Sequence, residues 1–293
     1  MFELEIFFQS FINGIAVGTI YSLVALGFVL IYKSTETINF ALGDLLMLSA
    51  FAAWTLSVPL GWPLWIAITV SVLVTGCVAG VLNASIVSRI VGQPQFAHVL
   101  LTIGIAFALR GLIFMFWGVD QRTLGTLAPD GTLNVFGLLL RAEHAQIILV
   151  AVFLVVALNL FFKKTLTGLA MQAVAENQLA SYLMAIPVQR FIVGVWVLAG
   201  AVAGMAGVLL APLLLVDGNL WLVVVKGLIV AVIGGFHSIP GALIAGVLIG
   251  LIEQLAGVYL DSEYRELTVY GLFFVILAVF PRGLFGGPAG KRV

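Results

Sequence analysis

The sequence predicts an all-α polytopic membrane protein with about 8–9 transmembrane helices and an amphipathic cytoplasmic helix, and three observations carry the membrane prediction. Hydrophobic residues make up 62% of the 293 residues and charged residues 9%. Mean hydropathy is +1.22, too high for a water-soluble domain of this length. The apolar residues fall in continuous runs of about twenty rather than alternating runs of ten, which selects helices over a barrel, since hydrocarbon leaves no partner for unpaired backbone groups. Formal net charge is zero, so the bulk charge points to no nucleic-acid partner. The single cysteine, Cys77, lies within an apolar run and forms no intrachain disulfide. The N-terminal residues carry Glu3 and Glu5 and no basic residue, so they lack a secretory n-region and the first run is read as a retained span.

The chain reads as one domain over residues 1–293. Phe11 to Tyr32 is the first run, closed by Lys33, and a polar patch leads into a second run reaching Val58. Pro59 to Pro63 is a turn. Leu64 to Ser88 and Phe96 to Phe116 are the third and fourth runs, the fourth containing His98 and Arg110. Trp117 to His144 mixes Gly, Pro, Asp and Thr and reads as a loop with a short interfacial element. Ala145 to Phe162, Phe191 to Leu215, Leu220 to Ile233, Ala242 to Tyr259 and Leu267 to Phe280 complete nine runs. The second and seventh can instead be broken or re-entrant, so eight spans is equally consistent. With the N-terminus outside and nine crossings, eight basic residues (Lys33, Arg89, Lys163, Lys164, Arg190, Arg282, Lys291 and Arg292) fall inside, against Arg122, Arg141 and Arg265 outside. That bias places the N-terminus in the periplasm, and the C-terminus and residues 163–190 in the cytoplasm.

Residues 163–190 (KKTLTGLAMQAVAENQLASYLMAIPVQR) form the only long amphipathic polar segment. Leu169 to Leu183 reads as one helix, with Leu169, Met171, Ala173, Val174, Ala180, Leu183 and Met184 on a small apolar face and Gln172, Glu176, Asn177 and Gln178 polar; Pro187 stops it after Ile186. Such a slim helix suits insertion into a groove of a soluble partner, and equally suits lying on the bilayer surface.

The chemistry of enzymes is not evident. Gly286 to Lys291 is a poor phosphate loop, with Phe285 and Arg292 where Gly and Ser or Thr belong, and no paired Cys or His stands at metal spacing. No metal and no cofactor is expected on this chain. Intramembrane polar residues are therefore the functional candidates. Lys226 and Glu253 can pair across the break at Gly234 to Gly241, or lie near the interfaces by snorkelling. Asn39, Gly43 and Asp44 stand where a helix breaks beside the membrane, suited either to meeting a substrate's charged groups or to a helix cap, Asp44 opening the next helix. Four Gly-x-x-x-Gly pairs (Gly14 and Gly18, Gly76 and Gly80, Gly200 and Gly204, Gly246 and Gly250) provide smooth packing faces within the subunit or against a second one.

Ala175-Glu176-Asn177 with Ala180, then Leu183-Met184-Ala185-Ile186, resembles the cytoplasmic coupling motif of ABC importer membrane subunits, in the variant of branched-chain amino acid permeases. Tyr21 to Tyr32 and Ile38 to Met47 are similar to that family's N-terminal signature, Lys226 to Ala242 to its C-terminal one, and Pro281 to Phe285 to its ending. The family often has glycine where Ala185 stands, and a second small residue near Ser181. The resemblance implies a bacterial inner-membrane permease for branched-chain or other small hydrophobic amino acids. It implies a second homologous permease subunit, two cytoplasmic ABC ATPases that bind the ATP, a periplasmic amino-acid-binding protein and membrane lipid as partners. The coupling residues it implies are Gly168, Ala173, Ala175, Glu176, Asn177, Ala180, Leu183, Met184 and Ile186. Asn39, Gly43, Asp44, Lys226 and Glu253 are the substrate-pathway candidates. An ion-coupled secondary transporter, an assembly protein without transport of its own, and a permease of the same superfamily for urea, amides or aromatic acids are the rival readings.

Overall fold

A computed structural model describes residues 2–90, 92–127, 132–135, 138–260, 263–280 and 283–285. Arg282, the tail holding Lys291 and Arg292, and the weak phosphate-loop match therefore lie outside the described residues. Eleven α-helices order the rest: α1 (Phe2–Thr35), α2 (Leu42–Ser57), α3 (Leu64–Ser85), α4 (Gln95–Trp117), α5 (Ala142–Lys164), α6 (Leu166–Glu176), α7 (Gln178–Leu183), α8 (Val188–Leu214), α9 (Val223–Gly234), α10 (Ile239–Tyr259) and α11 (Tyr264–Val279). Short 3-10 turns, Val87–Ile90 and Leu220–Leu222, extend α3 and precede α9. The segment read as a loop after α4 holds an antiparallel hairpin, β1 (Thr132–Val135) with β2 (Leu138–Arg141), Thr132 opposite Arg141. An isolated bridge ties Arg122 to Val216.

Among the described residues, six helical segments are long and apolar enough to cross a membrane: Ile6–Thr35, Leu64–Ile90, Gln95–Trp117, Ala142–Lys164, Val188–Leu214 and Ile239–Tyr259. Six of the expected eight or nine spans are thus single helices of full length. At ~1.5 Å per residue, the sixteen residues of α2 and of α11 reach about 24 Å and the twelve of α9 about 18 Å, short of a hydrocarbon core of about 30 Å. Breaks in the chain shorten α2 and α9: the chain is non-helical from residue 37 to 39 before α2, and the Leu220–Leu222 turn precedes α9.

The core is built on α1, whose middle is wholly enclosed; Ile20, Leu23, Val24, Ala25, Phe28 and Val29 have almost no accessible surface. The glycine pairs explain how neighbouring backbones approach so closely. A methyl group on Gly18 would lie 2.7 Å from the Gly246 carbonyl, and one on Gly14 would lie 2.8 Å from Leu251 Cα. Ser22 fills the same seam, its one hydroxyl hydrogen shared between the carbonyls of Gly18 and Leu243, both at 2.9 Å. On the other side of the bundle Gly76 and Gly80 of α3 meet Val197, while Gly200 and Gly204 of α8 meet Ala79, Ser49 and Thr75. All four glycine pairs therefore serve packing within this subunit, α1 on α10 and α3 on α8. Without a hydrophobic difference between lipid and helix surface, such close dispersion contact is what holds spans together. By contrast α4 and α5 keep large apolar side chains outward: Phe107, Met115, Phe116, Leu149 and Phe153 are exposed.

Candidate functional site

Three places on this frame gather polar chemistry. The first is the break before α2. The Asn39 side-chain oxygen accepts from Ala41 N at 3.0 Å, while Phe40 N reaches Thr102 Oγ1 on α4 at 3.3 Å. These bonds replace helical ones along the unwound stretch, leaving Asn39 Nδ2 buried without a hydrogen-bond partner. Asp44 is not the helix cap: α2 opens at Leu42, its cap position is Ala41, and Asp44 sits inside the first turn. Its carboxylate, fully buried, is held by Arg110 in a two-point grip, Nε to Oδ1 at 2.8 Å and a terminal nitrogen to Oδ2 at 3.1 Å. The guanidinium lies 3.5 Å from the centre of the Trp221 ring. Gly43 permits this crowding, since a Cβ there would fall 2.6 Å from the Trp221 carbonyl. One charged pair therefore clamps α2, α4 and the turn before α9. A lone Asp at the start of the second apolar run and a lone Arg inside the fourth are the sequence signal that such a pair exists.

The second place is the expected pair, Lys226 with Glu253. Lys226 Nζ donates to Glu253 Oε1 at 2.8 Å. Two further charges join from the first turn of α11, which the sequence presents as a polar turn. Arg265 Nε lies 3.0 Å from the same Glu253 oxygen without hydrogen-bond alignment, and Glu266 lies 3.8 Å from Lys226. Glu253 Oε2 is buried with no hydrogen-bond partner. The cluster lines a cavity of about 390 Å³ together with Asn13, Tyr21 and His144. Two cations around one buried carboxylate, beside a cavity, make a site able to hold a polar group in an otherwise apolar bundle.

The third place is the segment between α5 and α8. The expected single helix is two, α6 and α7, broken at Asn177, whose backbone is extended (φ −156°, ψ 103°). The cause is local: Asn177 Oδ1 accepts from Ala180 N at 2.8 Å and so caps a new helix. The expected apolar face is split as well. Met171 and Val174 turn inward, while Leu179, Tyr182, Leu183 and Met184 are 70–78% exposed. Of the expected coupling residues, Ala173, Glu176, Asn177, Ala180, Leu183 and Met184 are exposed, and Ala175 and Ile186 are half-buried. Gly168 is buried and belongs to packing: Thr165 Oγ1 accepts from its N–H at 2.9 Å, and a methyl group there would meet the Phe161 carbonyl. Gln178 Nε2 donates to the Ser34 carbonyl at 2.6 Å, joining α7 to the end of α1. Beside that bond lies a cavity of about 770 Å³, bounded by Glu36, Asn83, Gln95, His98, Gln178 and Tyr182. His98 is buried there, its Nδ1 3.4 Å from the Pro94 carbonyl.

A bundle of apolar helices with broken elements at charged pairs and an exposed two-helix excursion defines a membrane transport subunit. A family model for the permease component of branched-chain amino acid transport systems matches residues 10–277. The chain belongs to this family, and is a permease subunit of an ABC importer. It is 29% identical to the high-affinity branched-chain amino acid transport system permease protein LivH of Escherichia coli, over 98% of each chain. It is 27% identical to the corresponding permease protein BraD of Pseudomonas aeruginosa, over 99% of each chain. Among solved structures, PsaBC from Streptococcus pneumoniae in complex with Fab aligns with a TM-score of 0.50 over 94% of this chain and 91% of that one, at 16% identity, a likeness of fold alone.

Proposed function

We propose that this subunit carries branched-chain or related small hydrophobic amino acids across a bacterial inner membrane. It works beside a second homologous permease, receives substrate from a periplasmic binding protein, and is driven by two cytoplasmic ATPases that hold the ATP. In this reading α2, α9 and α11, with the segments leading into them, complete nine crossings, and α6 and α7 face the cytoplasm. The observation that carries the reading is α7 and its cap: four exposed apolar side chains, Leu179, Tyr182 and Leu183 on the helix and Met184 just after it, on an element bonded to the end of α1 through Gln178 and Ser34. A groove on an ATPase that covers those side chains would move α7, and the Gln178 bond would pass the displacement to α1 at the edge of the 770 Å³ cavity.

The Asp44 and Arg110 pair and the Lys226 and Glu253 cluster are the polar stations along that path. An amino acid zwitterion presents both a carboxylate and an ammonium group, so either station can exchange one internal partner for a substrate group without leaving a charge uncompensated. The test is co-purification in mild detergent of the wild-type chain and of Glu176→Lys with the ATPase, alongside uptake of leucine, isoleucine and valine, with urea and short amides as comparators. Loss of both ATPase and uptake in Glu176→Lys, at unchanged membrane abundance, is the expected result. Undiminished ATPase binding and uptake in that variant would overturn the coupling role. Uptake of amides in preference to amino acids would overturn the substrate.

A further inference from the structure

We infer that the groove between α1, α5 and α10 is a binding site for one anionic phospholipid. The groove encloses about 570 Å³ and has two chemically distinct zones. Its floor is apolar and sealed, formed by Leu26 and Phe162, and its walls are Val155, Leu158 and Leu243. At one end stand Lys33, Lys163 and His237, and among the described residues no carboxylate lines the groove. Neither lysine takes part in a salt bridge among the described residues. His237 is held edge-on to Tyr32, ring centres 5.4 Å apart, and Asn159 provides a neutral donor between the two zones.

The dimensions and the charge pattern select the occupant. Lys163 and Val155 are eight residues apart on α5, about 12 Å along the axis, close to the roughly 15 Å depth of one leaflet's hydrocarbon. A phosphate at the lysine end therefore places an acyl chain along Val155 and Leu243. Val156 and Leu160 of α5, beside the groove, are exposed, so lipid reaches it without any helix moving. A small soluble anion would leave the apolar walls wet. A zwitterionic headgroup would set its own cation against two lysines. The combination fits a single net negative headgroup on a diacyl tail. Gln172 of α6 also lines the groove, so an occupied site is in contact with the α6–α7 excursion.

The experiment is native mass spectrometry of the full chain, delipidated in detergent and titrated with phosphatidylglycerol or phosphatidylcholine. The wild type is expected to take up one phosphatidylglycerol with a preference on the order of twentyfold, about fivefold for each lysine. Lys33→Gln with Lys163→Gln should abolish the preference. Lys164→Gln, whose side chain does not line the groove, should keep it. Thermal unfolding of each variant in the same detergent separates a lost site from a lost fold: the double variant should melt like the wild type without lipid and gain less from phosphatidylglycerol. Equal binding of the two lipids by the wild type would overturn the assignment, as would an undiminished preference in the double variant. Displacement of the lipid by glycerol 3-phosphate alone would identify a free phosphate site and overturn it too.

Discussion

Arg110 and Asp44 meet through two hydrogen bonds, 2.8 and 3.1 Å, at the point where α2 begins. The carboxylate has no accessible surface and the guanidinium side chain is 15% exposed. Removing one partner strands the other as a buried charge, whereas removing both removes the problem. Asp44→Asn is therefore expected to destabilise the chain by about 3–5 kcal/mol. Asp44→Leu combined with Arg110→Met should recover most of that loss. Thermal unfolding in detergent of the singles and the double gives the coupling, and equal, additive losses would contradict the pairing.

Glu253 and Glu266 approach the same lysine in different surroundings, and this separates their expected effects. Glu253 is 1% exposed and faces both Lys226 and Arg265; Glu266 is 67% exposed at 3.8 Å from Lys226. Glu253→Gln leaves two cations without a buried counter-charge and should cost about 3 kcal/mol or more. Glu266→Gln should change stability by less than about 1 kcal/mol, and that change should fade with added salt. Unfolding curves at low and high salt read both.

The packing of α1 on α10 gives a sign test among glycines of one type. A methyl group on Gly250 would meet the backbone of Gly18 and the Gly14 carbonyl, and neither is a flexible side chain. Gly250→Ala should force the helices apart and lower stability by about 1–3 kcal/mol. On α4, a methyl group on Gly104 would meet nothing within 4 Å. Gly104→Ala should be neutral or stabilise by up to about 1 kcal/mol, because alanine loses less backbone freedom in a helix. Comparison of the two melting temperatures checks the opposite signs.

The apolar runs made most of the helices legible, since composition and run length are what the bilayer selects. Breaks inside the membrane were less so. The sequence offered Asp44 as a cap because acidic residues near a helix start commonly act so, but Arg110, 66 residues away, claimed the carboxylate. The pairing of Lys226 with Glu253 was readable, because each lacks another compensation in its own run. The arrival of Arg265 was not, because a basic residue in a polar turn carries no sign of pointing inward. Residues 169–183 read as one helix because alanine and leucine favour it throughout. A single Asn177 side chain, bonding Ala180 N, was enough to make two.

The end of α7 shows what a residue type can cost where the backbone is fixed. Ile186 N donates to the Ser181 carbonyl and Ala185 N to the Tyr182 carbonyl, both at 3.0 Å, the paired bonds of a helix end that turns left-handed. Ala185 occupies the left-handed position, φ 61°. There its Cβ crowds the following carbonyl, a cost of roughly 1–2 kcal/mol that glycine avoids. Glycine also has more freedom to lose on folding, which offsets part of that gain. Ala185→Gly should therefore tighten the end of α7 by about 1 kcal/mol or less, and Ala185→Val should loosen it. Hydrogen exchange of the Met184 to Ile186 amides in detergent reports both directions, slower for glycine and faster for valine. Since these residues follow directly on exposed Leu183, the same pair of variants also shows whether a firmer α7 end changes ATPase retention. If docking requires the turn as drawn, retention should rise with glycine and fall with valine.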